Sequence, residues 1–248
     1  MWDAALPSNP KLSAAIESLY TTFEDYRLRS DTHPCPCCHS MDCERPLRSK
    51  PLRQLTSDDL AGFVMSSMLT WGDENDLRHF LPRILELTAI GESLEFDREV
   101  ALSKLNYAEW RYWPQTEQIA LGTFFMTTWR AALSVPPEDD VYNGDAVESW
   151  LCALAQAGGP LAAFLNEWLV ISSRTAIHQL AVTITRTRLI HQPPKGINAY
   201  WQGHHDQAEE VSAWLRSDAV RKKLERAAEM FANEAVAEEL MAAIRMVS

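Results

Sequence analysis

Glycine is scarce in this chain, with 9 among 248 residues. Loops that cradle phosphate, and the sharp elbow that exposes a nucleophilic serine, need glycine where the backbone turns tightly or approaches a ligand. No Walker-type phosphate loop, no Gly-x-Ser-x-Gly and no His-Glu-x-x-His occurs. Those absences weigh against an enzyme. Long apolar runs are lacking too. The best candidate, Leu161–Ser172, is broken by Asn166 and Glu167, and a bilayer span needs about 20 apolar residues. Met1-Trp2-Asp3 does not open a basic stretch followed by an apolar one, so no leader is expected. The expectation is a cytoplasmic protein that makes no membrane contact.

Cysteine is rare but clustered. Four of the five cysteines, Cys35, Cys37, Cys38 and Cys43, fall between His33 and Cys43, with His39 among them. In a reducing compartment such a cluster points to metal or thiol chemistry more than to disulfides. Cys35 and Cys38 have the Cys-x2-Cys spacing that bends a backbone around tetrahedral Zn²⁺. Cys43 and His39 complete a four-ligand set, with His33 or Cys37 as substitutes. Against zinc, structural sites usually join two separated segments, and Cys152 stands alone far downstream. Disulfide exchange through Cys35 and Cys38 lacks a βαβ context. The plain alternative is small thiols packing a proline-rich loop.

Positive charge is short. Lys and Arg number 23 against 34 Asp and Glu, for a net charge of −11. The deficit is local: 6 against 7 over residues 1–50, 7 against 17 over 51–150, and 10 against 10 over 151–248. An acidic middle repels nucleic-acid phosphates and suits a basic protein partner, because complementary potential steers association. Solvated helix faces explain the same charges without a partner.

What the chain has is helical periodicity. Leu12, Ala15, Ile16, Leu19, Tyr20, Phe23 and Tyr26 form one stripe, predicting an amphipathic helix over about 10–27. Segment 31–51, with Pro34, Pro36, Pro46 and Pro51, reads as a loop. A helix from Ser57, the expected N-cap, runs to Trp71 and stops at Gly72. The next opens near Asp73, with Pro82 predicting a kink or break. Further helices are expected over about 97–110, 115–133, 145–157, 161–172, 173–190, 206–216 and 218–245. A polar linker at 134–145 is the candidate boundary between subdomains 1–134 and 146–248 of a single helical domain. Ten or so helices joined by short loops imply an all-α fold. The expected form is an irregular array of αα-hairpins resembling an α-solenoid of HEAT or armadillo type. The nine Trp read as core and inter-helix packing.

Two polar clusters invite chemistry. Asp73, Glu74, Asp76, His79 and Arg83 crowd around Trp71. Asp76 and His79, three apart, share a helix face and suit an oriented histidine. The simpler reading is a capped helix start whose His and Arg tie down a neighbouring loop. Gly203-His204-His205-Asp206 has the adjacent His-Asp of metal phosphohydrolases, which need further His and Asp ligands, and His178 and His191 are the only nearby candidates. Asp206 and Glu209 also have capping-box spacing, which is the stronger reading.

Cys35-Pro36-Cys37-Cys38, Pro51-Leu52-Arg53-Gln54-Leu55, Thr70-Trp71-Gly72-Asp73 and His79-Phe80-Leu81-Pro82-Arg83 together resemble an uncharacterised bacterial family. That family carries a Cys-x-Cys-Cys loop followed by Trp-Gly-Asp and His-Phe-Leu-Pro-Arg segments. The likeness covers about residues 15–135. It implies a single helical bacterial domain and brings no assigned activity. The expected function is therefore a non-enzymatic helical protein-binding module. In its specific form it is an immunity or antitoxin-type protein that masks a basic effector through Asp58, Asp59, Trp71, Asp73, Glu74, Asp76 and His79. The alternatives are a zinc-binding protein and a metal-dependent enzyme, each using loop 33–43 through Cys35, Cys38, His39 and Cys43.

Overall fold

A computed structural model describes residues 9–37, 41–90, 94–139, 146–190 and 199–247. Among these residues there are twelve α-helices and no strand; the only β-type pairing is in isolated bridges. The chain divides into two compact units, Met1–Thr128 and Trp129–Ser248.

The first unit contains α1 (Pro10–Thr22), α2 (Arg45–Ser49), α3 (Ser57–Ser66), α4 (Glu74–Ile90) and α5 (Arg98–Tyr107). The unit boundary falls inside α6 (Gln115–Leu133), ahead of the polar linker. Helix α4 is central and packs on α1, α3 and α5. Its Phe80, Leu81 and Leu85 are fully buried, as are Leu19 of α1, Phe63 of α3 and Leu102 of α5. The second unit contains α7 (Ala146–Gln156), α8 (Ala162–Val170), α9 (Arg174–Arg186), α10 (His205–Leu215), α11 (Asp218–Met230) and α12 (Ala237–Val247). Here α12 packs on both α9 and α11. Trp168 is fully buried, stacked on Trp214 at 5.5 Å and edge-on to Trp129 at 5.4 Å. It donates its indole N–H to the Ala176 carbonyl at 2.9 Å, so the ring is buried without an unpaired donor.

Several boundaries differ from the sequence expectation. Helix α1 stops at Thr22, because Tyr26 is held by other elements: its hydroxyl donates to Glu117 at 2.6 Å, and its carbonyl accepts from His79 at 3.0 Å. The cysteine-rich segment is not loop throughout. It contains α2, whose Pro46 sits in the first turn, where a missing N–H costs nothing. The N-cap of α3 is Thr56, in a capping box with Asp59, rather than Ser57. Helix α3 ends at Ser66, whose carbonyl accepts N–H groups from Leu69, Thr70 and Trp71. Helix α5 ends at Tyr107, since Glu109 is left-handed and a 3₁₀ turn follows at Trp110–Tyr112.

Helix α4 continues through Pro82 with no fresh start there. Buried contacts on three sides hold the helix across the lost hydrogen bond. The helix expected over 218–245 is two helices, α11 and α12, separated by turns after Phe231. The capping box of Asp206 and Glu209 is not formed: His204 is the N-cap of α10 and makes no side-chain cap bond.

Candidate functional site

The Trp-Gly-Asp turn and the cysteine loop are brought together by backbone and by a buried carboxylate. Pro34 bridges Trp71, and the Cys35 N–H donates to the Thr70 carbonyl at 3.1 Å. Trp71 is buried edge-on against Phe63 at 5.7 Å. Gly72 has φ +70°, and a Cβ there would lie 3.0 Å from both Cβ and Oδ2 of Asp76. The turn needs glycine for its handedness and for this approach.

Asp76 is completely buried. It accepts from the Arg29 guanidinium at 2.9 Å, the Thr32 hydroxyl at 2.9 Å and the Asp73 N–H at 3.0 Å. Burial pushes its carboxyl upward. The bonds from Arg29, Asp73 and Thr32 outweigh burial and hold it below the ordinary carboxylate range. Asp73 caps α4 by accepting from the N–H groups of Asn75 and Asp76, and pairs with Arg29 at 3.0 Å. His79 donates Nδ1–H to the Tyr26 carbonyl, and burial depresses its pKa, which favours the neutral ring. Arg78 lies 4.2 Å above the Trp113 ring and pairs with Glu74 at 2.5 Å and Glu117 at 3.2 Å.

Asp73, Glu74, Asp76 and His79 are thus joined with residues from the 26–37 segment and α6 into one network. Trp71 contributes from the core side. Asp59 pairs with Lys50 at 2.6 Å and closes the α3 capping box. Asp58 is exposed and makes no ion pair among the described residues. Sequence reading missed Arg29, Thr32 and Glu117, because their partners lie 39 to 91 residues away and leave no local pattern.

In the cysteine loop, Cys37 and Cys43 are exposed and Cys35 is half-buried. The sulfurs of Cys35 and Cys37 lie 2.6 Å apart. His33 faces Glu44 at 3.0 Å, and Glu44 also binds Arg48, whose guanidinium reaches the carbonyls of Arg29 and Thr32. Cys38 and His39, expected ligands, lie outside the described residues, as does His191. Among the described residues no group of three or more His, Cys, Asp or Glu is placed to hold a metal ion. No described helix is long and apolar enough to cross a membrane.

Beside this network the surface is apolar. Met65, on α3, is 51% exposed, Leu69 61% and Tyr107 59%. Buried Lys104 joins Met65 to Tyr107: its ammonium donates to the Met65 carbonyl at 2.9 Å and lies 5.7 Å from the Tyr107 ring centre. Met68 is left-handed at φ 65° in the turn that presents Leu69, a conformation that costs a non-glycine residue about 1–2 kcal/mol.

No family model matches the chain, and neither a curated protein nor a solved structure matches it.

Proposed function

We propose that the chain is a non-enzymatic helical protein-binding module whose recognition surface is the exposed face of α3 and the turn beyond it. The observation that carries this reading is the exposure of Met65, Leu69 and Tyr107, large apolar side chains left in solvent on and beyond α3, with a left-handed Met68 in the turn. Exposed apolar side chains grouped within a polar rim mark interaction sites. Asp58 lies two helical turns before Met65 on the same face and gives the surface an acidic edge. The partner is accordingly an apolar patch on a basic protein. Masking of a basic effector by a cytoplasmic immunity or antitoxin-type protein is the specific form of this proposal. Membership in the bacterial family with the Cys-x-Cys-Cys and Trp-Gly-Asp segments belongs with it. So does a solenoid-like stacking of hairpins, supported by the neighbouring pairs α3/α4, α4/α5 and α11/α12. The buried Asp76 network acts behind the surface, holding the turn in place.

A photo-crosslinking residue at position 69, in cells that naturally make the protein, tests the reading. It should capture one discrete basic partner, and adding Met65→Asp should abolish the adduct. The same probe at Lys11, exposed on α1, should capture nothing. Equal capture from both positions, or none from position 69, would overturn the proposal.

A second reading has its own observation. Cys37 and Cys43 are exposed close to Cys35 in sequence, which leaves the loop thiols accessible to Zn²⁺ held by Cys35, Cys38, His39 and Cys43. Purified without chelator, the protein should then carry close to one zinc per chain, and Cys38→Ser should remove it. Metal-free protein by elemental analysis would dismiss this reading.

A further inference from the structure

Helix α11 forms one wall of a cleft in the second unit, of about 410 Å³. Its residues at 219, 222, 223, 226, 227 and 230 recur at helical spacing along the cleft. The opposite wall is Leu169 and Ser172, at and just beyond the end of α8, and Ile177 near the start of α9. The stripe extends about 16 Å at the α-helical rise.

Three cations and no carboxylate line the cleft, in a chain whose acids outnumber its bases 34 to 23. Lys223 is already committed: its ammonium donates to the carbonyls of Leu169 at 2.8 Å and Ile171 at 2.5 Å. It closes the C-terminal end of α8, where cations are favoured. Lys222 and Arg226 are exposed, one turn apart, and make no hydrogen bond or close ion pair among the described residues, although Lys222 lies near enough to Asp218 to help hold its carboxyl down. Their neighbour Arg221 shows the contrast, pairing with both Asp218 and Glu225. The remaining lining is chiefly aliphatic, with Met230 71% exposed at the end of the stripe.

We infer that this cleft binds a free long-chain carboxylate, a linear amphiphilic anion of the fatty-acid type. Leu169, Ile177 and Met230 would take the hydrocarbon chain. Lys222 and Arg226 would take the carboxylate, which a guanidinium can grip through two parallel bonds. The volume lies within the range of small-molecule sites, about 300–1,000 Å³, and charge complementarity selects an acid over a neutral lipid. This site shares no residue with the α3 surface and does not depend on that reading.

Calorimetric titration of the full chain with dodecanoate, below its micelle concentration, tests the inference. Saturable binding of one dodecanoate per chain is expected. Lys222→Gln with Arg226→Gln should weaken it at least tenfold, and dodecanol should bind at least tenfold more weakly than the acid. Because both substituted side chains are exposed, an unchanged circular dichroism spectrum checks the fold. Ala219→Trp, at an exposed position lining the cleft, is the second variant and should abolish binding. Absence of saturable binding would overturn the proposal. So would binding indifferent to the charge changes, or attachment to anionic vesicles without binding of free dodecanoate.

Discussion

Asp76 and His79 lie one turn apart on α4, and both make the protein sensitive to acid. Asp76 titrates below the ordinary carboxylate range when folded. Its stabilisation is complete above the unfolded value, about 3.9, and is lost as pH falls through the lower folded value. His79, whose folded pKa is also depressed, acts earlier. The unfolded imidazole takes up its proton near pH 6.5 while the folded ring still resists, so stability declines from that point. Denaturant midpoints measured from pH 7 to 3 should therefore fall in two stages. His79→Gln should shrink the upper stage, which His178 and His204 share through their own burial, and Asp76→Asn should shrink the lower, which Glu44 and Asp59 share. Parallel curves for wild type and both variants would count against these assignments. At Gly72, alanine adds a left-handed penalty of about 1–2 kcal/mol to the crowding of Asp76. Gly72→Ala should lower unfolding free energy by about 2 kcal/mol or more in urea titration, and an unchanged midpoint would show that the turn tolerates a side chain.

Helices were legible from the apolar stripes. The helix expected over about 115–133 matches α6, and the capped start expected near Asp73 matches the bonds by which Asp73 caps α4. Ends were less legible where a distant partner competes with the next helical turn. Tyr26 leaves α1 for Glu117 and His79, and three N–H groups turn back to Ser66 at the end of α3. Neither event has a local sequence sign. The same limit applies to Pro82, whose ring forbids a hydrogen bond locally while the surrounding core keeps the helix continuous. An interior proline costs about 3 kcal/mol, and losing buried ring methylenes forfeits about 1–2 kcal/mol. Pro82→Ala should thus raise unfolding free energy by about 1–2 kcal/mol, read from the denaturant midpoint. A clear loss of stability would mean that the ring contributes more to packing than it costs the helix.

For the molecule as a whole, a net charge of −11 says less than its distribution. Part of the acidic middle is paired across elements, Asp59 with Lys50, Asp73 and Asp76 with Arg29, and Glu117 with Arg78, and part within α4 itself, Glu74 with Arg78 and Glu86 with Arg83. Composition revealed the excess of acid. It could not reveal which carboxylates are neutralised by residues far along the chain, nor that Met65, Leu69 and Tyr107 stay in solvent beside them. In this account the polar cluster is architecture and the apolar face it supports does the binding. The most direct measurement is the affinity of the crosslink-captured partner for wild type, Leu69→Asp and Asp58→Lys, each checked for retained helicity. Leu69→Asp should weaken binding at least tenfold. Asp58→Lys should weaken it several-fold at low salt and less at high salt, because exposed charges are screened over about 8–10 Å at physiological ionic strength. Equal affinity for all three proteins would contradict the account.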